Sequence, residues 1–163
     1  MKALVVYSSQ SGNTRKLAQA AYDCLTCEKE IHSLADAPDP AGFDLIVLGF
    51  WLQAGKPDPK SAEYIPRSGN RDLFLFATHG AAAGSDHAKA AMEHAKSLAP
   101  LARIRGTFSC PGEVNPAVLE KARAKDPQPS WLKDSANAVG RPNDQDLAEF
   151  KAAFRTAAGP AGG

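Results

Sequence analysis

The stretch Ser8–Thr14, with the sequence SSQSGNT, carries residue types that can bind an anion. Hydroxyl groups, a glycine with free backbone angles and a following helical segment would let successive N–H groups converge on a negative charge at the positive end of a helix dipole. This combination suits a phosphate monoester. The GxxxxGK(S/T) pattern for nucleoside triphosphates and the GxGxxG pattern for dinucleotides are both missing. By itself the stretch is equally typical of a strand-to-helix turn that merely caps a helix.

A second stretch with binding chemistry is Phe50–Pro59, which we expect to form a loop after a buried strand. Trp51 lies near its start, between Phe50 and Leu52, and Gly55 follows. An exposed indole can stack on a flat aromatic ligand, which contributes about 0.5 to 1.5 kcal/mol beyond area burial. Loops at the carboxyl ends of parallel strands are also where open α/β sheets bind ligands. The alternative is that Trp51 folds down to cover the sheet.

A third stretch, His79–Asp86, leaves another buried strand that is predicted to end at Thr78. Its sequence, HGAAAGSD, is rich in small residues, and Gly80 is the first of them. Small residues let the backbone approach a flat ligand closely. The stretch is therefore a candidate second wall for the same planar ligand.

Hydrophobic periodicity places these stretches on an alternation of strands and helices. Near-continuous apolar runs predict buried strands at 2–7, 43–50 and 71–78, and a further strand is predicted at 103–110. A weaker alternating run predicts an edge strand at 28–34. Apolar residues three and four apart predict helices at 14–25, 86–101, 116–125 and 144–157, with a short helix at 59–65.

The alternation predicts one doubly wound α/β domain over residues 1–158, followed by a disordered tail over 159–163. Residues 126–141 are polar and proline-rich, and we expect them to form an unusually long loop that Trp131 anchors to the body of the domain.

Composition limits the possible partners. The 163 residues are 44% hydrophobic and 23% charged, and the formal net charge is +1. The absence of a basic run argues against nucleic-acid binding, and no apolar run approaches the roughly 20 residues of a membrane span. The start MKALVVY turns polar too early for a signal peptide, so we expect a cytoplasmic protein. Three cysteines then fit reduced thiols.

Metal or dithiol chemistry is the weaker interpretation of the remaining residues. Cys24 and Cys27 form a CxxC at the end of a predicted helix, whereas a redox pair belongs at a helix N-terminus, where the dipole lowers a thiol pKa. Cys110 stands alone, so a four-ligand metal site has no further ligands. His87 and His94 are two helical turns apart, about 10 Å, which is too far to share a metal. We predict no metal.

The order strand, SQSGNT, helix resembles the FMN-phosphate loop of the flavodoxins, whose pattern is Ser/Thr-x-Thr-Gly-Asn-Thr, with Ser11 in place of a threonine. The resemblance covers essentially all of the chain and is closest to short flavodoxin-like proteins of anaerobic bacteria that share a GFW-three-residue-G loop and a GTF-x-C segment. It implies a flavodoxin-like three-layer sandwich with a five-stranded parallel sheet in the order 2-1-3-4-5, and FMN as the cofactor. In that order the first, third and fourth strands are neighbours, so the three stretches would meet at one edge.

The resemblance also implies roles for individual residues. Residues 9–14 would hold the phosphate, Trp51 would stack on one face of the flavin ring, and His79 is the only side chain of the third stretch able to stack on the other face. The cofactor-binding residues predicted in this way are Ser9, Gln10, Ser11, Gly12, Asn13, Thr14, Phe50, Trp51, Leu52, Gly55, Thr78, His79 and Gly80.

The implied function is electron transfer through bound FMN between redox partner proteins, by a monomer without nucleic-acid or membrane partners. One alternative is an NAD(P)H-dependent FMN reductase or quinone reductase of the same fold, in which the alanines at 81–83 leave a bay for a second ring. Another is a domain that has lost its cofactor. Flavodoxins are typically acidic, whereas this chain is nearly neutral with Lys56 and His79 in the ring loops, so we expect a less negative potential for the flavin's second reduction step.

Overall fold

The computed structural model describes residues 1–159 of the chain, so the predicted tail lies outside the described residues from residue 160 onward. The strands are β1 (Lys2–Tyr7), β2 (Glu28–Ser33), β3 (Leu45–Gln53), β4 (Lys56–Pro57), β5 (Asp72–His79) and β6 (Arg103–Pro111). The helices are α1 (Asn13–Cys24), α2 (Pro59–Tyr64), α3 (Asp86–Ser97), α4 (Pro116–Arg123) and α5 (Asp144–Ala158). Within residues 1–159, no helix has both the length and the apolar character needed to cross a membrane.

The sheet has the order β2-β1-β3-β5-β6, and all four pairings along this path are parallel. Counting the parallel strands along the chain gives 2-1-3-4-5, so the predicted order is confirmed. β2 lies at the edge, where its polar residues remain partly exposed. The three apolar runs form the inner strands β1, β3 and β5, whereas β6 closes the other edge with an alternating exposure pattern.

Helices on both faces of the sheet give three layers. Successive residues of β1 point to opposite faces, so that Ala3 and Val5 belong to the core shared with α1 and α5, whereas Leu4 and Val6 belong to the core shared with α3. On the α5 side, Phe154 meets Phe74 edge to face with ring centroids 5.2 Å apart. The two buried clusters fix the helices on both faces of the sheet and leave its carboxyl edge open for the site.

The segment Phe50–Pro59 is a hairpin and not the predicted loop. β3 continues three residues past Phe50, and β4 pairs back onto it in antiparallel register. Ala54 and Gly55 form the two-residue turn with φ angles of 52° and 74°. Two successive residues at positive φ match the twist of a tight hairpin, and this pairing is not visible in the glycine and proline content alone.

The predicted long loop at 126–141 contains a 3-10 helix over Ser130–Ala138. Its end is fastened to the body by two contacts. The Arg141 guanidinium donates to the buried Asp146 carboxylate, with Nε 3.0 Å from Oδ2, and the Glu113 N–H donates to the Arg141 carbonyl at 2.8 Å. The segment is therefore held against the start of α5 and the chain that follows β6.

Candidate functional site

The three sequence stretches meet at the carboxyl edge of the sheet. β1 and β5 flank β3, and the Ser8 N–H donates to the Gly49 carbonyl at 2.9 Å, which carries the strand pairing into the first loop. A cavity opens above these strand ends. It is lined by Gln10, Ser11, Asn13, Thr14, Trp51, Leu52, Thr78, His79 and Gly80, together with Gly112, Glu113, Val114, Asn115 and Val118.

The N-terminus of α1 faces this cavity without a side-chain cap. Its N-cap residue is Gly12, with φ of 87°, and among residues 1–159 no side chain accepts from the first turn. The other helices all have such an acceptor, namely Asp58, Ser85, Asn115 and Asn143. The first turn of α1 therefore keeps its N–H groups and its positive dipole end for another acceptor.

Side-chain hydrogen bonds fix the loop before α1 on both sides. Ser8 Oγ donates to Asp58 Oδ2 at 2.8 Å, and the buried Asp58 carboxylate also accepts from Ser61 Oγ at 2.8 Å. On the other side, the buried hydroxyls of Thr14 and Thr78 are 3.0 Å apart. One hydrogen suffices for that pair, so the second hydroxyl hydrogen can donate elsewhere. The loop is thus preorganised by β5 and by the start of α2.

Within the loop, the Gly12 N–H donates to Ser9 Oγ at 3.0 Å. The Asn13 carboxamide instead reaches across the site and donates to the Glu113 carbonyl at 2.9 Å. Gly112 allows this approach, because a Cβ at that position would lie 2.8 Å from Asn13 Nδ2. The Asn13 side chain therefore holds in place the segment 112–115, which follows β6 and forms one wall of the cavity.

That wall, residues 112–115, was missed by sequence reasoning, which considered only the chain that follows β1, β3 and β5. β6 pairs with β5 as far as His79↔Pro111, so the residues after Pro111 must emerge beside those after His79. The signal that was available is the glycine at the end of the fifth parallel strand. In the resulting arrangement Val114 and Val118 add apolar surface to the cavity.

A second cavity of about 440 Å³ adjoins the first and falls within the range typical of small-molecule sites. The two cavities share Trp51, Leu52, His79, Gly80, Val114 and Val118. The second is also lined by Gln53, Ala54, Gly55, Ala81, His87, Lys125 and Trp131. Trp131 packs on Gly80, since a Cβ there would lie 3.3 Å from its ring. The sequence indicated Trp131 as an anchor, and the structure adds that it lines the site with Trp51.

His79 does not lie in a loop. It is the last residue of β5, only 6% of its surface is exposed, and its Nδ1 lies 3.1 Å from the Ala81 carbonyl. Burial lowers the pKa of His79 from 6.5 to about 4. The Ala81 bond acts in the opposite direction, and the nearby charges of His87 and Arg141 add to the lowering. The ring is therefore enclosed and neutral at pH 7, so His79 adds no positive charge to the ring loops, and its stacking on the flavin stays a prediction.

The remaining predicted residues lie around the cavities. Gly55 lines the second cavity, and Ser9 lines a shallow pocket beside Asp58. Gly12 supports the loop through its backbone angle. The Phe50 side chain is fully buried in the core shared with α3, so only its backbone belongs to the site edge.

Thiol and metal chemistry find no support at this edge. Burial raises the pKa of Cys110 to about 12, and Cys24 and Cys27 pack against the core on the α1 side. In the described part of the chain, no group of three or more histidine, cysteine, aspartate and glutamate side chains is close enough to hold a metal ion.

A parallel sheet in this order, with an uncapped helix after its first strand and an aromatic-lined cavity at the same edge, defines a flavodoxin-like protein. The family model described as a flavodoxin domain matches residues 4–155. The chain therefore belongs to the flavodoxin domain family, and the predicted family is confirmed. The flavodoxin-like domain-containing protein BilS of Clostridioides difficile (strain CD3) is 33% identical to it over 119 residues, which cover 70% of this chain and 68% of that protein.

Solved structures agree on the fold. A flavodoxin from the domain Archaea aligns with a TM-score of 0.60 and 16% identity, covering 96% of both chains. A flavoprotein in complex with FMN from Lactobacillus acidophilus NCFM aligns with a TM-score of 0.53 and 20% identity, covering 66% of this chain and 92% of that one. At these identities the likeness shows the flavodoxin-like fold, as predicted.

Proposed function

We propose that this chain is an electron-transfer protein that binds FMN at the carboxyl edge of its sheet. The observation that carries the proposal is the convergence of an uncapped helix N-terminus and an aromatic-lined cavity at one edge. FMN has a phosphate and a planar ring that would occupy these two features. The solved flavoprotein of similar fold that is in complex with FMN supports the same cofactor.

The chain's residues fit the phosphate end of such a ligand. Ser9, Ser11 and Thr14 offer hydroxyls beside the free N–H groups of the first turn of α1, and no carboxylate of the loop 8–14 opposes an anion there. The bonds to Asp58 and Thr78 hold the loop in place before a ligand arrives. Preorganisation of this kind lowers the entropic cost of binding.

The residues also fit a planar ring. Trp51 and Trp131 line one cavity, and Gly80 and Ala81 leave room between them. When bound, FMN supplies the electron-accepting chemistry, and the protein sets its potential through charge, hydrogen bonds and burial. With His79 neutral, the proposed less negative second reduction step now depends on Lys56 and Lys125, because Lys56 flanks the hairpin turn and Lys125 lines the ring cavity.

The partners we propose are redox proteins that approach the same edge, with the chain acting as a cytoplasmic monomer. Trp51 and Leu52 remain partly exposed there, and Val118 is 43% exposed. An exposed apolar rim around a flavin site would bring a partner close to the ring.

The second candidate function is an NAD(P)H-dependent FMN reductase or quinone reductase. The observation that favours it is the second cavity, in which Ala81 and Gly55 leave space beside Trp131 for a further ring. Mixing the FMN-loaded protein with NADH or NADPH without oxygen distinguishes the two. Rapid bleaching of the flavin by the nucleotide alone would favour the reductase, and reduction only through a partner protein would favour the carrier.

Binding itself is tested by titrating flavin-free protein with FMN and with riboflavin, which lacks the phosphate. We expect one FMN per chain and at least about tenfold weaker binding of riboflavin, since charged hydrogen bonds each contribute about 1.5 to 3 kcal/mol. A protein that cannot be loaded with FMN would instead be a flavodoxin-like domain without cofactor, and the proposal would fail.

A variant pair assigns the phosphate to the loop before α1. Gly12→Val places a branched side chain at φ of 87°, which strains the loop although a Cβ there meets no atom within 4 Å. Gly140→Val is the matched control, because Gly140 has φ of 73° and equally open surroundings but lies outside the loop. We expect only Gly12→Val to lose the preference for FMN over riboflavin. Retention of that preference would mean that the phosphate binds elsewhere.

A further inference from the structure

His79 carries a buried acceptor that the fold leaves without a partner. Its Nδ1 faces a carbonyl oxygen, which can only accept, so the proton must be on Nδ1 and Nε2 presents a lone pair. Burial keeps the ring neutral at pH 7. Among the buried side-chain nitrogen and oxygen atoms of residues 1–159, Nε2 of His79 alone lacks a hydrogen-bond partner. Buried polar groups of folded proteins are nearly always paired, so this atom needs an explanation.

The position of His79 points to a ligand. It lines both cavities and belongs to the set of residues at which they adjoin. The next residue, Gly80, is covered by Val114 and by the ring of Trp131, which lie 3.0 and 3.3 Å from a Cβ built there. These two side chains come from the segments after β6 and after α4, and they close over the residue next to His79, so the proposed contact requires them to shift when the ligand enters.

We propose that Nε2 of His79 accepts a hydrogen bond from the imide N–H of the bound flavin ring, and so positions the ring between Trp51 and Trp131. The argument rests on the proposed function, since it takes FMN as the ligand. The oxidised isoalloxazine ring has a single N–H, at N3, and its other polar ring atoms accept hydrogen bonds. A neutral imidazole held with its proton on the far nitrogen can pair only with a donor, so the N3–H is its one possible ring partner.

This pairing makes His79 a positioning residue. Leaving the N3–H unpaired inside the complex would cost the desolvation free energy of that group, whereas pairing it would also satisfy Nε2. A flavin ring bound in the reverse orientation would place one of its own acceptors next to Nε2, so that neither the N3–H nor Nε2 would gain a partner from this contact. The proposed bond therefore favours one orientation of the flavin and disfavours planar ligands that lack a donor.

Two substitutions separate the nitrogens of His79. His79→Asn keeps a donor where Nδ1 contacts Ala81 and removes the acceptor at the Nε2 position. His79→Gln extends one atom further and can offer its amide oxygen there. We expect His79→Asn to bind FMN about tenfold more weakly than the wild-type chain, because it loses the proposed hydrogen bond. We expect His79→Gln to bind FMN within about threefold of the wild-type chain, because its amide oxygen keeps an acceptor in that place, although with less favourable geometry.

A ligand analogue tests the donor directly, without a substitution. FMN methylated at N3 lacks the proposed donor, so it should bind the wild-type chain about tenfold more weakly than FMN does. His79→Asn should bind the two ligands about equally. Labelling the histidines with 15N adds a readout that does not depend on affinity, because FMN should shift the Nε2 signal of His79 and leave the Nδ1 tautomer unchanged.

The outcomes keep this inference apart from the proposed function. If the wild-type chain takes up no FMN, the proposed function fails and this inference fails with it. If the wild-type chain binds FMN but N3-methylation changes neither its affinity nor the Nε2 signal, the proposed function stands and the role of His79 is refuted. If His79→Asn does not fold, the analogue and the 15N signal still decide with the wild-type chain.

Discussion

Acidification between pH 6.5 and pH 4 should destabilise this fold through a single side chain, His79. In the unfolded chain its pKa is the ordinary 6.5, whereas burial lowers the pKa in the folded protein to about 4. The neighbouring His87 and Arg141 also oppose protonation, and the bond to Ala81 favours it. As the pH falls below 6.5, the unfolded chain takes up the proton first, so the equilibrium moves toward unfolding.

The magnitude follows from the two pKa values. Each pKa unit corresponds to about 1.4 kcal/mol, so the difference between 6.5 and about 4 corresponds to about 3 kcal/mol. This contribution is fully present above pH 6.5 and is lost by about pH 4. Since domains are commonly stable by only about 5 to 15 kcal/mol, a loss of this size is readily measured.

The assay is urea unfolding of flavin-free protein at several pH values from 7 to 4, with His79→Gln as the non-titrating reference. Carboxylates such as Asp146, whose pKa is lowered by its bond to Arg141, titrate in both proteins and cancel in the difference. We expect the free energy of unfolding of the wild-type chain to fall by about 3 kcal/mol more than that of the variant. Parallel curves would refute the reasoning and would mean that His79 is charged or solvated in the folded protein.

Three further predictions concern the walls and supports of the site. The chain has two tryptophans, so Trp51→Phe and Trp131→Phe each leave one indole. FMN should quench the fluorescence of both variants. If the fluorescence of Trp131 in the Trp51→Phe variant is not quenched, Trp131 lies away from the flavin ring. Asp58→Asn replaces one of the oxygens that accept from Ser8 and the start of α2, and urea titration should show a loss of about 1 to 3 kcal/mol, whereas an unchanged midpoint would mean that this bond is replaced by water. Cys110, buried with a pKa of about 12, should react with a thiol reagent only after denaturation, and modification in the native protein at the rate of the other two cysteines would contradict its burial.

Much of the fold could be predicted because its strands are marked by their own residues. A central parallel strand is covered on both faces and must be apolar along its whole length, so the runs at Lys2–Tyr7 and Asp72–His79 stand out in the sequence. The cap of α5 is equally local: Asn143 accepts from the Asp146 N–H at 3.0 Å, and the Asp146 carboxylate accepts in return from the Asn143 N–H. Each of these interactions spans only a few residues of chain.

The errors all concern residues whose surroundings come from elsewhere in the chain. β3 was predicted to stop at Phe50 because the following residues look like a loop, but their pairing with β4 depends on a turn with two positive φ angles. The wall at residues 112–115 was missed because its place depends on β6 lying next to β5. Trp131 packs on Gly80 and so anchors its segment as predicted, but its place in the cavity lining could not be predicted because nothing near it in sequence refers to the cavity.

The sequence by itself therefore determined the order of strands and helices and the family, and it marked the stretch Ser8–Thr14 as a candidate anion-binding loop, since each depends on residue types at short spacing. Only the tertiary structure decided that Trp131 faces the same cavity as Trp51 and that His79 is a neutral, buried acceptor. The physical reason is that stacking geometry and desolvation are set by groups far apart along the chain. A histidine in an unfolded chain has its ordinary pKa, and the pKa of about 4 for His79 arises only once folding has buried the end of β5.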